Sequence, residues 1–299
     1  MKHTWNVTFL LIMFFFITQI VGLFIINGYI DQGQTQETGQ VVEKPLPLLE
    51  RPDVEESTSW VLIFGAILVG TVIALIIMKL KLFFMWKFWF FMSVWFCLTV
   101  AFYAFAGLYI ALVLALILTV LKVFRSNIAV HNITEIFIYG GLASIFVFFM
   151  DLNSAVILLL LISLYDMYSV WKSKHMIKLA EFQTSQKLFA GVFIPYKMPK
   201  KTDKKKKGKT VSIAVKSAIL GGGDIGFPLI FSGVVFKSLV LVYSLPVAFL
   251  QTFIISVTTA LALLWLFVKA ESDKYYPAMP FVSIGCLAGY GIIALISLF

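Results

Sequence analysis

Charged residues are scarce in this sequence. Only 13% of its 299 residues are Asp, Glu, Lys or Arg, whereas soluble domains average roughly 25%. Hydrophobic residues make up 61% of the chain, and the mean hydropathy is +0.96. This composition excludes an ordinary soluble domain and predicts a polytopic membrane protein.

Cysteine and histidine are also rare. The two cysteines, Cys97 and Cys286, each lie inside an apolar stretch, so the sequence predicts no disulfide framework, metal site or cofactor. The three histidines, His3, His131 and His175, all lie away from the middle of an apolar stretch. A serine or cysteine hydrolase with a histidine base is therefore poorly supported.

Nine apolar stretches approach the length of about 20 residues that a membrane-spanning helix needs. We therefore predict an all-α membrane protein with nine transmembrane helices, the first of which is retained rather than cleaved as a signal peptide. The predicted organisation is a six-helix part over 1–171, a basic cytoplasmic loop over 172–211 and a three-helix part over 212–299. The predicted spans are 8–28, 59–79, 88–106, 107–124, 133–150, 153–171, 212–234, 239–268 and 278–298.

The net charge of +9 is informative because of where the basic residues lie along the sequence. An N-terminus in the cytoplasm places 21 of the 24 basic residues at inner ends of the spans, as membrane topology favours. The C-terminus is then outside. No nucleic-acid partner is implied. The lysine-rich run at 200–209 predicts a solvated loop or a patch for anionic lipid headgroups, and 188–196 is expected to lie at the membrane interface.

Three acids fall within the predicted spans. An acid at the centre of a spanning helix costs roughly 2.5–3.5 kcal/mol, so such a residue is a functional candidate. Glu135 lies near the inner end of the fifth span, where we expect it to reach water. Asp166 lies six residues before Lys172, and Asp224 eight residues after Lys216, which places both at about 9–12 Å of helix from the inner side.

The matched depth of Asp166 and Asp224 predicts a carboxyl pair on two antiparallel spans. Two neighbouring carboxyls cannot both ionise easily and share one proton. One can then take a proton from water while the other donates to an amide carbonyl, which is the aspartic-protease solution to peptide hydrolysis.

Three short motifs carry a family resemblance. Tyr165–Asp166, then Gly221-Gly222-Gly223-Asp224, resemble the YD and GxGD motifs of the presenilin and signal-peptide-peptidase family of intramembrane aspartyl proteases. The segment Pro277-Ala278-Met279-Pro280 resembles the family's PAL motif. It departs from that motif by having Met279 in place of leucine, and Tyr276 stands where signal peptide peptidases have glutamine. The short loop between the sixth and seventh spans is similar to that of a compact archaeal presenilin homologue.

The resemblance implies a presenilin-like fold in which Asp166 and Asp224 are the catalytic pair. It also implies single-span transmembrane helices as substrates. It does not imply an obligatory protein partner and leaves the oligomeric state open. The site-shaping residues that it implies are Tyr165, Gly221, Gly222, Gly223, Pro277, Ala278 and Met279.

The glycines before Asp224 suggest close approach by a substrate backbone, because they remove side-chain bulk at a cost of about 1 kcal/mol each in a helix. Pro228 lacks the N–H that would bond to the carbonyl of residue 224 and so loosens the same helix. A glycine-lined helix-packing face with a membrane acid is the structural alternative.

Two functional alternatives also remain. A proton- or cation-coupled transporter or channel could use the same aspartates as ligands, although no inverted repeat is evident. Prepilin-type peptidases also use a GxGD acid, but their processing forms often carry CxxC pairs that this sequence lacks.

Overall fold

The chain folds into a bundle of helices with one small hairpin of strands. The structure is a computed structural model that describes residues 4–125, 127–186, 188–197, 215–271 and 275–298. In these residues the helices are α1 (Trp5–Gly28), α2 (Gln32–Thr38), α3 (Ser59–Lys79), α4 (Phe83–Tyr103), α5 (Leu108–Phe124), α6 (Ile128–Phe146), α7 (Leu152–Met167), α8 (His175–Ser185), α9 (Gly222–Leu239), α10 (Leu245–Lys269) and α11 (Met279–Ile296). The strands are β1 (Gly191–Lys197) and β2 (Val215–Gly221).

Each of the nine predicted spans overlaps one helix. Among the described residues, seven helical segments are long and apolar enough to cross a membrane, and they include α1, α3, α4, α6, α7, α10 and α11. Helix α5 is apolar but has only 17 residues, and α9 has 18 residues that include Asp224 and Pro228. A mostly helical membrane fold is therefore confirmed, while nine as the number of spans stays a prediction.

The expectation of a purely α-helical chain is wrong at the hairpin. Strands β1 and β2 pair antiparallel, from Gly191 opposite Gly221 to Lys197 opposite Val215. Residues 215–221 thus form a strand where the seventh span was predicted to begin as a helix. The sequence of β1 explains its extended form, because Val192, Phe193 and Ile194 favour strands and Pro195 disfavours a helix interior.

The described part of the segment 172–211 has regular secondary structure. It contains α8 and β1, and its first residue, Lys172, ends a π-helical turn over Tyr168–Lys172. The lysine-rich run at 200–209 and the predicted boundary at 212 lie outside the described residues. Because of the antiparallel pairing, β2 returns the chain to the bundle and leads directly into α9.

Helix α1 packs against α6, α9 and α10. Its buried side chains, including Leu11, Phe15 and Ile26, belong to the main hydrophobic core. Helices α10 and α11 approach most closely at Gly285 and Gly289, where an added Cβ would lie 2.6 Å from backbone atoms of α10. Small residues at a spacing of four allow such close packing between membrane helices.

Candidate active site

Asp166 lies in the last turn of α7, where the helix changes form. Asp151 is the N-cap of α7, and its carboxylate accepts a hydrogen bond from the Ser154 N–H. The helix continues into the π-helical turn over Tyr168–Lys172. Single π-helical turns are frequent at functional sites because they redirect the side chains around them. The Asp166 side chain is half-buried at this point.

The PAL-like segment holds the Asp166 carboxylate through backbone donors. The Met279 N–H donates to Asp166 Oδ2 over 3.1 Å, and the Ala278 N–H lies near the same carboxylate. These N–H groups are free for this purpose because Ala278 is the N-cap of α11 and Met279 its first residue. The structure therefore brings Ala278 and Met279 to Asp166, with Pro277 buried directly before them.

Asp224 lies in the first turn of α9. Gly221 is the N-cap of that helix, and its backbone N–H lies near the Asp224 carboxylate. An acid three residues after the N-cap occupies the position from which a capping box bonds back to the N-cap N–H. The positive end of the helix dipole adds a favourable interaction with a carboxylate there.

The two aspartates lie on α7 and α9, which pack together. Their carboxyls are near enough for the charge of Asp166 to act on Asp224. This proximity agrees with the matched depth expected from the sequence. Their catalytic role stays a prediction.

The three glycines before Asp224 have different surroundings. A Cβ on Gly221 would lie 3.1 Å from Asp224 Oδ2, and one on Gly222 would lie 2.6 Å from Tyr139 Oη. Gly223 is exposed, and a Cβ there would make only ordinary contact with Phe227, at 3.5 Å. Lack of bulk is therefore required sterically at Gly222, whereas at Gly223 the protein itself leaves room for a side chain.

Tyr165, the residue before Asp166, is held by a histidine that the sequence interpretation did not single out. The Tyr165 hydroxyl lies 2.9 Å from His175 Nε2, and the other ring nitrogen bonds to Ser173 Oγ. Burial lowers the pKa of His175 from its ordinary value, which favours the neutral ring. The segment that forms α8 was predicted to be loop. The only indication of this contact in the sequence is the short separation of His175 from Asp166 along the chain.

A buried pair of serines joins α7 to α11 one turn away from Asp166. Ser163 Oγ and Ser283 Oγ lie 2.7 Å apart, and Ser283 also donates to the Leu159 carbonyl over 3.3 Å. These bonds fix the start of α11, which supplies the donors to Asp166. This pair could not be predicted from the sequence, because buried serines also bond to carbonyls of their own helix.

The expectation that Glu135 reaches water is wrong. Its side chain is 2% exposed and forms an ion pair with Lys122, with 2.7 Å between Oε1 and Nζ. Lys122 lies on the preceding helix, α5, which packs against α6. Glu135 thus obtains a buried partner instead of a path to solvent, as charges inside membrane proteins usually do.

Comparison with known proteins gives a consistent result. The protein-family model described as signal-peptide peptidase, presenilin aspartyl protease matches residues 50–298. No curated protein matches the chain. Two solved structures of a presenilin family intramembrane aspartate protease, in space groups C222 and P2, resemble it. The first is 19% identical with a TM-score of 0.58 and covers 94% of both chains. The second is 18% identical with a TM-score of 0.59 and covers 96% of both chains.

Proposed function

The chain belongs to the signal-peptide peptidase and presenilin aspartyl protease family, and from this premise we propose that it hydrolyses peptide bonds of transmembrane-helix substrates with Asp166, Asp224 and one water. The activity class, an intramembrane aspartyl protease of the presenilin type, follows from family and fold. The pair of aspartates and the substrate class are the proposed parts.

One observation carries the proposal: the half-buried carboxyls of Asp166 and Asp224 lie near one another on packed helices, each beside backbone N–H groups at the start of a helix. The Met279 N–H donates to Asp166 over 3.1 Å, and the Gly221 N–H lies beside Asp224. Such donors fix the direction of each carboxyl without supplying a charge that would neutralise it. With one proton shared between the pair, one carboxylate takes a proton from water and the other carboxyl donates to the substrate carbonyl.

The hairpin supports a binding mode for an unwound substrate. The Gly222 N–H bonds to the Ala190 carbonyl, so in this antiparallel ladder Gly221 and Ile219 occupy non-hydrogen-bonded positions, and their backbone groups face away from β1. A further peptide strand could pair with this outer edge of β2. Because β2 leads directly into α9, such a strand would pass beside Asp224.

Substrate unwinding is required on physical grounds. A helical substrate hides its amide carbonyls in hydrogen bonds between residues four apart. Pairing of the extended segment with Ile219 would replace those bonds and lower the cost of opening the helix. Single-span helices with weak helix formers are the substrates that fit this requirement.

The topology of the site agrees with the charge distribution. Helix α7 ends, and α9 and α11 begin, on one side of the bundle, which is also the side of α8 and the hairpin. We place this side, the N-terminus and the segment 172–211 in the cytoplasm, and the C-terminus outside. Water and substrate then reach the aspartates from the cytoplasmic side, and anionic lipids are the neighbours of the basic segment.

Cleavage and transport can be separated on one preparation. The purified protein is reconstituted in lipid vesicles with a labelled single-span peptide, and peptide products and proton or cation flux are measured in parallel. We expect products cut within the apolar segment and no flux beyond that of empty vesicles. Flux without cleavage would replace the protease with the transporter or channel alternative.

A further inference from the structure

A buried ion pair lies beside the proposed site and has no part in the hydrolysis described above. Lys122 on α5 and Glu135 on α6 have side chains that are 1% and 2% exposed, with 2.7 Å between Nζ and Oε1. Burying two charges costs several kcal/mol per ion before their attraction compensates, so an ion pair of this kind is weak evidence for stability. Its contacts indicate another role.

All three protons of the Lys122 ammonium have acceptors. They are Glu135 Oε1 at 2.7 Å, His131 Nδ1 at 3.1 Å and the His131 carbonyl at 3.3 Å. A lysine ammonium has three donors and no acceptor, so its hydrogen-bonding capacity is filled. Two of the three acceptors belong to His131, and Lys122 therefore fixes the ring and the backbone of that residue.

The other face of the His131 ring binds strand β1. His131 Nε2 lies 2.8 Å from the Gly191 carbonyl. A carbonyl only accepts, so Nε2 carries the proton, and Nδ1 is left as the acceptor for Lys122. The lysine thus selects the tautomer that can hold Gly191.

Asn132, the next residue of α6, binds the same edge of β1. Its amide nitrogen donates to the Phe193 carbonyl over 2.9 Å, and its carbonyl oxygen accepts from the Phe193 N–H over 3.0 Å. Gly191 and Phe193 both use backbone groups that face away from β2. Helix α6 therefore binds the outer edge of β1 much as a neighbouring strand would.

The position of β1 determines that of Asp224. Gly191 lies opposite Gly221, and the Gly222 N–H bonds to the Ala190 carbonyl. Gly221 in turn is the N-cap of α9 and lies next to the Asp224 carboxylate, since a Cβ on it would be 3.1 Å from Asp224 Oδ2. A shift of β1 on α6 would be transmitted through this pairing to the aspartate.

We propose that Lys122 and Glu135 are positioning residues of the protease: through the His131 tautomer they fix β1, and through β1 they fix Asp224. The reaction concerned is the hydrolysis proposed above, on which this inference rests. The pair acts through the hairpin and does not contact the reacting atoms.

Replacement of both charges separates positioning from stability. Breaking a buried pair at one member leaves an unpaired charge and is strongly destabilising, whereas apolar residues of similar volume in place of both are often neutral or stabilising. The test variant is therefore Lys122→Met with Glu135→Met. The control is Arg51→Met with Glu43→Met, a pair with 3.3 Å between charged atoms in the segment that joins α2 to α3.

Three measurements are made on each protein: the thermal midpoint, kcat and KM for the labelled peptide, and hydrogen exchange of residues 188–197 and 218–226. For the double variant we expect a thermal midpoint near that of the original protein and a kcat lowered by about 100-fold, since misplacement of a catalytic group by about 1 Å has this effect. Exchange should increase in both segments while α10 keeps its protection. The control variant should keep the original kcat.

If the ion pair is purely structural, a double variant that keeps its stability also keeps its activity. The original kcat and the original hydrogen exchange in a folded double variant would therefore overturn the proposal. Where that variant does not fold, Asn132→Leu tests the later steps of the same route, because it removes both bonds that hold Phe193 of β1. The original kcat and exchange in this folded variant would likewise overturn the proposal. An original protein that cleaves no peptide would refute the proposed function. The hydrogen-exchange comparison would still decide whether the pair fixes the hairpin.

Discussion

The steric requirement at Gly222 gives the sharpest prediction from this structure. In Gly222→Ala the added Cβ would lie 2.6 Å from Tyr139 Oη, 3.0 Å from Tyr139 Cε1 and 3.2 Å from the Ala190 carbonyl oxygen. Ordinary contacts of a Cβ begin at 3.4 Å, so the nearest overlap is about 0.8 Å, and overpacking of this kind typically costs about 1–3 kcal/mol. Tyr139 is buried, so it has little room to withdraw.

The variant should therefore lower the thermal midpoint and move the start of α9. A displacement of Asp224 by about 1 Å would lower kcat by about 100-fold. Gly223→Ala is the matched control for stability, since its Cβ would meet nothing closer than 3.5 Å and alanine favours the helix by up to about 1 kcal/mol. Its thermal midpoint should equal or exceed that of the original protein.

A second substitution identifies the atom responsible. The Tyr139 hydroxyl lies near Glu135 but makes no hydrogen bond of good geometry within the described residues, so Tyr139→Phe should cost less than about 1 kcal/mol. Combined with Gly222→Ala, it removes the nearest overlapping atom and should restore part of both stability and cleavage. Additive losses in this double-mutant cycle would refute the steric explanation, as would full stability of Gly222→Ala alone.

Three further predictions concern the site and the bundle. Cleavage should show a bell-shaped pH profile, because the two aspartates need one shared proton; a rate that rises without limit towards high pH would contradict this. Ser283→Ala should lower kcat severalfold by freeing the start of α11. Ser232→Ala, at a buried serine without a partner in the described chain, should leave kcat unchanged. The same kcat for both variants would exclude the role of the serine pair. Gly285→Ala should lower the thermal midpoint far more than Gly291→Ala, since its Cβ would lie 2.6 Å from Thr259 Cα and the other would meet nothing within 4 Å.

Hydropathy was sufficient to predict most of the fold, because each long helix must satisfy its own backbone inside a membrane. It could not predict the hairpin. The residues of β2 are apolar enough to continue a span, and their partner strand lies before a long intervening segment. Pairing between segments that are distant along the chain leaves little trace in the local sequence. The backbone groups of β1 that face away from β2 find their partner only in the folded chain, where Asn132 binds Phe193.

The candidate site was also predictable in part. Charge counting placed Asp166 and Asp224 at one depth, and the motifs added the segment at Pro277. The ion pair of Glu135 was missed although Lys122 was assigned to the same inner side, because depth alone does not say which side chains face each other. His175 was missed because α8 was predicted to be loop.

The most direct test of the central claim is cleavage of a labelled single-span peptide by Asp166→Asn and Asp224→Asn, each compared with the original protein after both variants are shown to be folded. Asparagine keeps the size of the side chain and removes the ionisable proton, so each variant should keep its thermal midpoint and lose cleavage. Cleavage at the original rate by either folded variant would contradict the proposed pair of catalytic aspartates.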